Sequence, residues 1–351
     1  MRGLTSPLWP IRYKPLPDEL LSSWLVRLAR GHGLRVQTFC NLIFGNQLQV
    51  WNRDIDRLGP DWVVDVLAER TGTPIGIARA TTLRSYEGRL YPVFRTSGAL
   101  QWITTLQMFH RTRQGFGMQY CPQCLLEDRI PYFRKEWRVA FVTTCPTHRC
   151  MLRDRCLTCG AGVAFHRGDM GNPQGQHRES IADCFACGVS LAGGFMVPIE
   201  PYEPAVMDWL SGLSASVMSG APSATDLDNL KVMRQLALLF LSRYSTVKLH
   251  DHVCGQLVIP PMELAHGKLG FESRLHPERH HLIQLIGWLM MDLEPRLRDA
   301  WRAKVVRYNQ MLKGFEVAPR FYLEIVEGFA NWRDACNRNV SGVRMQLRRS
   351  H

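Results

Sequence analysis

The sequence predicts a mainly α-helical chain in three parts, with two helical ends around a middle knotted by cysteines. Three observations carry this. Apolar residues recur at helical spacing in PDELLSSWLVRLARGHG near the start and in DLDNLKVMRQLALLFLSRY and PERHHLIQLIGWLMMDLEPRLRDAWRAKVVRYNQML toward the end. Between them, seven cysteines and a histidine fall into four pairs, each with a two-residue spacer. The segment MVPIEPYEP, with three prolines in nine residues, then reads as a linker. The boundaries follow: an N-terminal helical domain over 1–110, a tandem cysteine region over 111–197 and a C-terminal helical domain over 198–351.

In the first part, Asp18 is placed to cap a helix whose Leu20, Leu21, Trp24, Leu25 and Leu28 form one apolar face. Gly31 and Gly33 end it, and VQTFCNLIFG follows as a second short helix. A helix, a glycine turn and a second helix make the outline of a helix-turn-helix. Arg35, Gln37, Thr38 and Asn41 then stand at the front of the second helix as candidate contacts to a partner or to nucleic acid. DWVVDVLAERTG and TPIGIARATTL add two helices, the latter with Thr73 as cap and Pro74 at the first position.

The middle reads C-x2-C, twenty residues, C-x2-H, then C-x2-C, twenty-four residues, C-x2-C. A two-residue spacer lets both members of a pair chelate one ion from a tight turn, and two such pairs complete a tetrahedron. The pairs can combine in chain order or crossed; chain order, which leaves each loop at an ordinary zinc-ribbon length, assigns Cys121, Cys124, Cys145 and His148 to one zinc, and Cys156, Cys159, Cys184 and Cys187 to a second. Each site has four protein ligands and no open position, the mark of a structural ion. Cys40, Cys150, Cys254 and Cys336 stand alone and read as small buried apolar residues. The run HDHVC, His250 to Cys254, holds ligand types but has no partner cluster nearby and reads as a loop. Between Arg111 and Arg178 eleven Lys or Arg face five Asp or Glu, so Arg134, Lys135 and Arg138 of RKEWR are candidate contacts to a partner or to phosphates. Tyr132, Phe133, Trp137 and Phe141 are expected to bury against the knuckles, since small metal modules lack other apolar mass.

In the last part Pro295 divides the long helical pattern, and the stretch from Arg333 carries five arginines against one aspartate. The net charge of +12 favours a polyanionic partner. Prolines in MRGLTSPLWPIRYKPLPDEL interrupt the apolar core a signal peptide needs, and the runs LALLFL and LIGWLMM are too short to span a bilayer. A cytoplasmic protein is expected, in which clustered cysteines bind metal before they form disulfides. There is no P-loop, no H-E-x-x-H, no G-x-S-x-G and no deaminase H-x-E…P-C-x-x-C, so no enzyme is expected.

PLPDELLSSWLVRLARGHG, YCPQCLLEDRIPYFRKEWRVAFVTTCPTH, and CLTCG followed by CFACG resemble the TniQ/TnsD family of transposition target-selection proteins. TLRSYEG and HPERHHLIQLIGWLMMDLEP are similar to further family segments, so the resemblance covers most of the chain. The middle motif is its most specific part, and Glu294 stands where the family pattern has an aromatic residue. The resemblance implies a prokaryotic, nucleoid-associated protein that does no chemistry, marks an insertion site and recruits an AAA+ ATPase regulator, which brings the transposase. The compact C-terminal part favours the TniQ type. In CRISPR-associated transposons such a protein sits as a head-to-tail homodimer on a Cascade-type effector complex carrying guide RNA at the target DNA. The alternative is a TnsD-type protein that reads the chromosomal sequence directly. The eight metal ligands carry over position by position.

Overall fold

A computed structural model describes residues 7–45, 50–106, 116–168, 180–242, 248–265 and 269–329. Cys336 and the arginine-rich end from Arg333 lie outside them, as do Arg111 and Arg178. The chain forms two compact units, Met1–Glu200 with His266–His280, and Pro201–Ala265 with His281–His351. The division at Glu200 falls within the proline-rich linker. The described residues are mainly helical, as the periodicity predicts.

The first unit holds helices α1 (Leu21–Gly31), α2 (Val36–Phe44), α3 (Ile55–Leu58), α4 (Asp61–Thr71), α5 (Ile75–Ala80) and α6 (Pro122–Glu127). A two-stranded antiparallel hairpin, β1 (Thr144–Cys145) and β2 (Cys150–Met151), follows. Helix α1 is more central than a single apolar face implies, because every residue from Leu21 to Ala29 is buried. Its polar side chains are therefore paired inside the fold, as burial demands. Ser22 donates through N and Oγ to the two oxygens of Asp56, each at 2.7 Å, and Ser23 Oγ donates to Glu19 Oε1 at 2.8 Å. Arg27 grips the Glu19 carboxylate with two bonds of 2.7 Å. Asp18 does not cap the helix. Its carboxylate instead accepts from the Glu136 backbone N–H at 2.9 Å and pairs with Lys135. Likewise Pro74, not Thr73, is the N-cap of α5; Thr73 meets Thr71 through a 2.7 Å hydroxyl contact.

The segments expected as separate domains over 1–110 and 111–197 share this unit, because their backbones hydrogen-bond directly. Leu20 N donates to Phe133 O, and Thr104 N to Arg138 O, both at 2.9 Å. Phe133 stacks on Phe165 with centroids 4.3 Å apart, and Tyr132, Trp137 and Phe141 are buried as the sequence predicts.

The second unit contains α7 (Pro204–Ser219), α8 (Ala224–Phe240) and α9 (Leu249–Gln256). Helix α10 (His276–Met291) crosses the division at His280, and α11 (Leu293–Arg302), α12 (Tyr308–Met311) and α13 (Arg320–Glu327) follow. Ser223 and Asp226 close a reciprocal capping box on α8. Helix α10 stops at Met291, four residues before Pro295, because the proline ring would strike the Met291 carbonyl. Glu294 lies at the surface and pairs with Arg298 at 2.7 Å, so the departure from the family pattern costs no buried packing. The HDHVC run is part of helix α9 and not a loop. Among the described residues no helix is long and apolar enough to cross a membrane.

Candidate metal centres

The first cluster combines a helix start with a hairpin turn. Cys121 is the N-cap of α6, and its sulfur accepts from Cys124 N–H at 3.5 Å, which turns both sulfurs the same way. Pro122 suits the first helical position, where no N–H is needed. Opposite, Cys145 and Cys150 face each other across the hairpin, and Arg149 N closes the turn onto Cys145 O at 2.9 Å with a left-handed φ of 47°. His148 Nδ1 thereby lies 3.4 Å from Cys121 Sγ, 3.3 Å from Cys124 Sγ and 3.5 Å from Cys145 Sγ, and Cys124 and Cys145 are 3.6 Å apart. With metal–sulfur bonds of about 2.3 Å and metal–nitrogen bonds of about 2.0 Å, a tetrahedral ion sets edges of about 3.8 Å and 3.5 Å. The cluster has that size. Hydrogen bonds from the Cys124 and Cys145 side chains lower the Cys121 thiol, and the same contacts raise that of Cys124.

The second cluster is built from two matching knuckles. In CLTCG, Cys156 N donates to Ala161 O and Gly160 N to Cys156 O; in CFACG, Cys184 N donates to Val189 O and Gly188 N to Cys184 O. Gly160 and Gly188 have φ of 72° and 80°, a left-handed turn that a side chain would strain, which explains the glycine after each pair. Cys156 and Cys187 sulfurs lie 3.7 Å apart, and Cys159 and Cys184 sulfurs 3.6 Å. Burial raises the Cys156 thiol, but the N–H groups of Cys159 and Thr158 pull it down to about 7. Chain-order pairing is therefore what the structure shows: each set of four lies within one ligand sphere.

Two neighbours of the first cluster were not legible in the sequence. Glu127, at the end of α6, holds His148 Nε2 at 2.8 Å and so fixes the ring with Nδ1 toward the sulfurs. Cys150, buried as expected, brings its sulfur to 3.8 Å from Cys121 but stands outside the four-ligand set. Its thiol is raised to about 12 by burial and by the Cys121 charge, which suits an S–H donor to the Cys121 sulfur. The beginning of α10 supports the hairpin from behind. His276 Nε2 meets Thr143 O at 2.8 Å, and the fully buried Arg279 donates to Ala140 O at 2.6 Å.

The candidate contact residues divide. Arg35, Gln37, Thr38 and Asn41 are exposed on α2 and its N-cap, with Gln37 Nε2 donating to Asn41 Oδ1 at 2.9 Å. Arg134, Lys135 and Arg138 are instead turned inward, which corrects the reading of RKEWR as a phosphate-facing patch. Arg134 makes two bonds to Asp128, at 3.0 and 2.8 Å, and lies over the Tyr132 and Trp137 rings. Lys135 faces Asp18 at 3.4 Å, and Arg138, 0% exposed, binds Asp54 at 2.5 Å. Lys135 and Arg138 meet acids from the N-terminal segments and Arg134 meets Asp128 of its own segment, so their charge serves the fold.

No curated protein matches the chain. Residues 10–152 match the family model TniQ, a span that runs from before α1 to the end of the metal hairpin and takes in all four ligands of the first cluster. Over residues 10–152 the chain is thus similar to the TniQ family, a likeness that includes the whole first cluster.

Proposed function

We propose that the chain is a non-enzymatic adaptor of a transposition system, linking a Cascade-type guide-RNA complex at the target DNA to the AAA+ regulator and its transposase. The observation that carries this reading is the match of residues 10–152 to the TniQ family, a span that includes a cluster of four side chains able to hold a metal ion. Both clusters hold zinc, two ions in all, since sulfur-rich tetrahedral sets are the characteristic zinc environment. A filled ligand shell leaves no position for substrate, so the ions hold the fold. In this reading the chain works in the prokaryotic cytoplasm on the nucleoid, as a homodimer.

The inward placement of Arg134, Lys135 and Arg138 also favours an adaptor, because it withdraws three cations from DNA. DNA affinity of the chain alone is then weak, indifferent to sequence and lost as salt rises through the physiological range. The second reading is a TnsD-type direct reader. It draws on α1 and α2, joined by the four residues 32–35, with Arg35, Gln37, Thr38 and Asn41 exposed at the front of α2. Co-purification with Cascade subunits, with and without guide RNA, tests the adaptor. Selection of one duplex site by the isolated chain, by about 1000-fold or more, would establish the direct reader instead. In that case alanine at Arg35, Gln37 and Asn41 abolishes site preference; in an adaptor it weakens attachment to the protein partner.

A further inference from the structure

Three buried side chains of the second unit converge on one point that the proposed function does not use. His250 and Cys254 are four residues apart on α9 and so share a face, and His281 comes from α10. The Nε2 atoms of His250 and His281 are 2.7 Å apart, and Cys254 Sγ lies 3.8 Å from the first and 3.9 Å from the second. Each histidine has an oxygen at its other ring nitrogen. His250 Nδ1 meets the Asp251 carboxylate at 3.0 Å, and His281 Nδ1 meets the Tyr202 hydroxyl at 2.6 Å.

These partners set the proton positions. An ionised carboxylate only accepts, so His250 Nδ1 carries the proton and its Nε2 presents a lone pair toward His281. When the Tyr202 oxygen accepts from His281 Nδ1, the second Nε2 presents a lone pair as well. Two lone pairs and a sulfur then face each other in a buried space, an arrangement that a cation between them stabilises. An oxygen holding the outer nitrogen of each histidine is the usual support of imidazole ligands.

We propose that His250, Cys254 and His281 form a third metal site, taking a divalent ion of borderline softness such as zinc, with water in the fourth position. Two imidazoles and a thiolate suit zinc and cobalt and are poorly matched to magnesium or calcium, which take oxygen ligands. A tetrahedral zinc would set the nitrogen–nitrogen edge at about 3.3 Å and the nitrogen–sulfur edges at about 3.5 Å. Binding therefore parts the two rings by about 0.6 Å and draws the sulfur in by roughly half as much. The ion would staple α9 to α10 within the second unit. The inference is independent of the adaptor reading, since none of the three ligands lies within residues 10–152.

The test is the metal content of the purified full chain and its variants, loaded with zinc and dialysed free of excess. Cys254→Ala and His281→Ala should each carry one ion fewer than the wild type, while Cys145→Ser loses an ion from the first cluster separately. His281→Cys should restore the wild-type count. In the cobalt-loaded protein it should also strengthen the thiolate-to-cobalt absorption in the near ultraviolet, which a merely packed residue would not alter. Equal metal content in wild type, Cys254→Ala and His281→Ala overturns the site. In its place would stand a hydrogen-bonded chain, with Tyr202 donating to His281 and His281 Nε2–H donating to His250. A cobalt spectrum unchanged by His281→Cys overturns it equally.

Discussion

Arg138→Met removes a buried cation from between two carboxylates while keeping most of the apolar stem. Arg138 is 0% exposed; its guanidinium binds Asp54 at 2.5 Å and approaches Asp56 to 3.6 Å. Asp56 is itself buried and holds Ser22 of α1 through both oxygens. Breaking a buried pair from one side costs about 3–5 kcal/mol, because the remaining charge stays in the interior. The cost depends on pH. Burial, with the nearby Asp54 charge, raises the Asp56 carboxyl to about 6 even with Arg138 present. An unfolded aspartate titrates near 3.9. Between these values the folded chain binds a proton that the unfolded chain has lost. The contribution of Asp56 is therefore full below pH 4 and falls as pH rises through 6, by about 3 kcal/mol for a shift of roughly two pK units. Without Arg138 the folded carboxyl titrates higher still, so the variant's deficit should be smaller at pH 5 than at pH 7.5. Asp56→Asn should do the reverse and gain on the wild type across the same interval. Hydrogen–deuterium exchange of the peptide covering α1 reads the local stability in each case, with rates corrected for intrinsic pH dependence. A deficit for Arg138→Met below about 1 kcal/mol at pH 7.5, or one equal at both pH values, would refute the reasoning.

Three further outcomes are expected. Cys145→Ser should lose one metal ion and locally unfold the hairpin, whereas Cys150→Ser should keep the wild-type count, both read by elemental analysis. Arg149→Gly should leave that count intact and raise the melting temperature or leave it unchanged, since a non-glycine residue at a φ of 47° carries about 1 kcal/mol of strain; a loss of metal would mean that the Arg149 side chain supports the site. Light scattering at micromolar concentration should give a dimer in which the N-terminal helices of one copy pack on the C-terminal part of the other, and a monomer both alone and in the targeting complex would exclude it.

What the sequence determined alone is what neighbouring residues decide between themselves. A two-residue spacer suits chelation, so the eight candidate ligands and their grouping into two clusters were readable before any fold was known. The break ahead of Pro295 is likewise a steric fact of a few consecutive residues. The helices followed from periodicity, though periodicity could not show that α1 is buried on every side, because Ser22, Ser23 and Arg27 look like a polar face until Asp56 and Glu19 cover them. RKEWR looked like a phosphate-facing patch for the same reason. Whether a cation faces solvent or an acid depends on which distant segment folds over it, and Asp18, Asp54 and Asp56 come from far earlier in the chain. His250 and Cys254 had ligand chemistry without a partner until α10 brought His281 beside them. Local geometry is written in spacing; long-range pairing arises only when a buried charge or lone pair must find its counterpart across the fold, and the tertiary structure alone makes that choice.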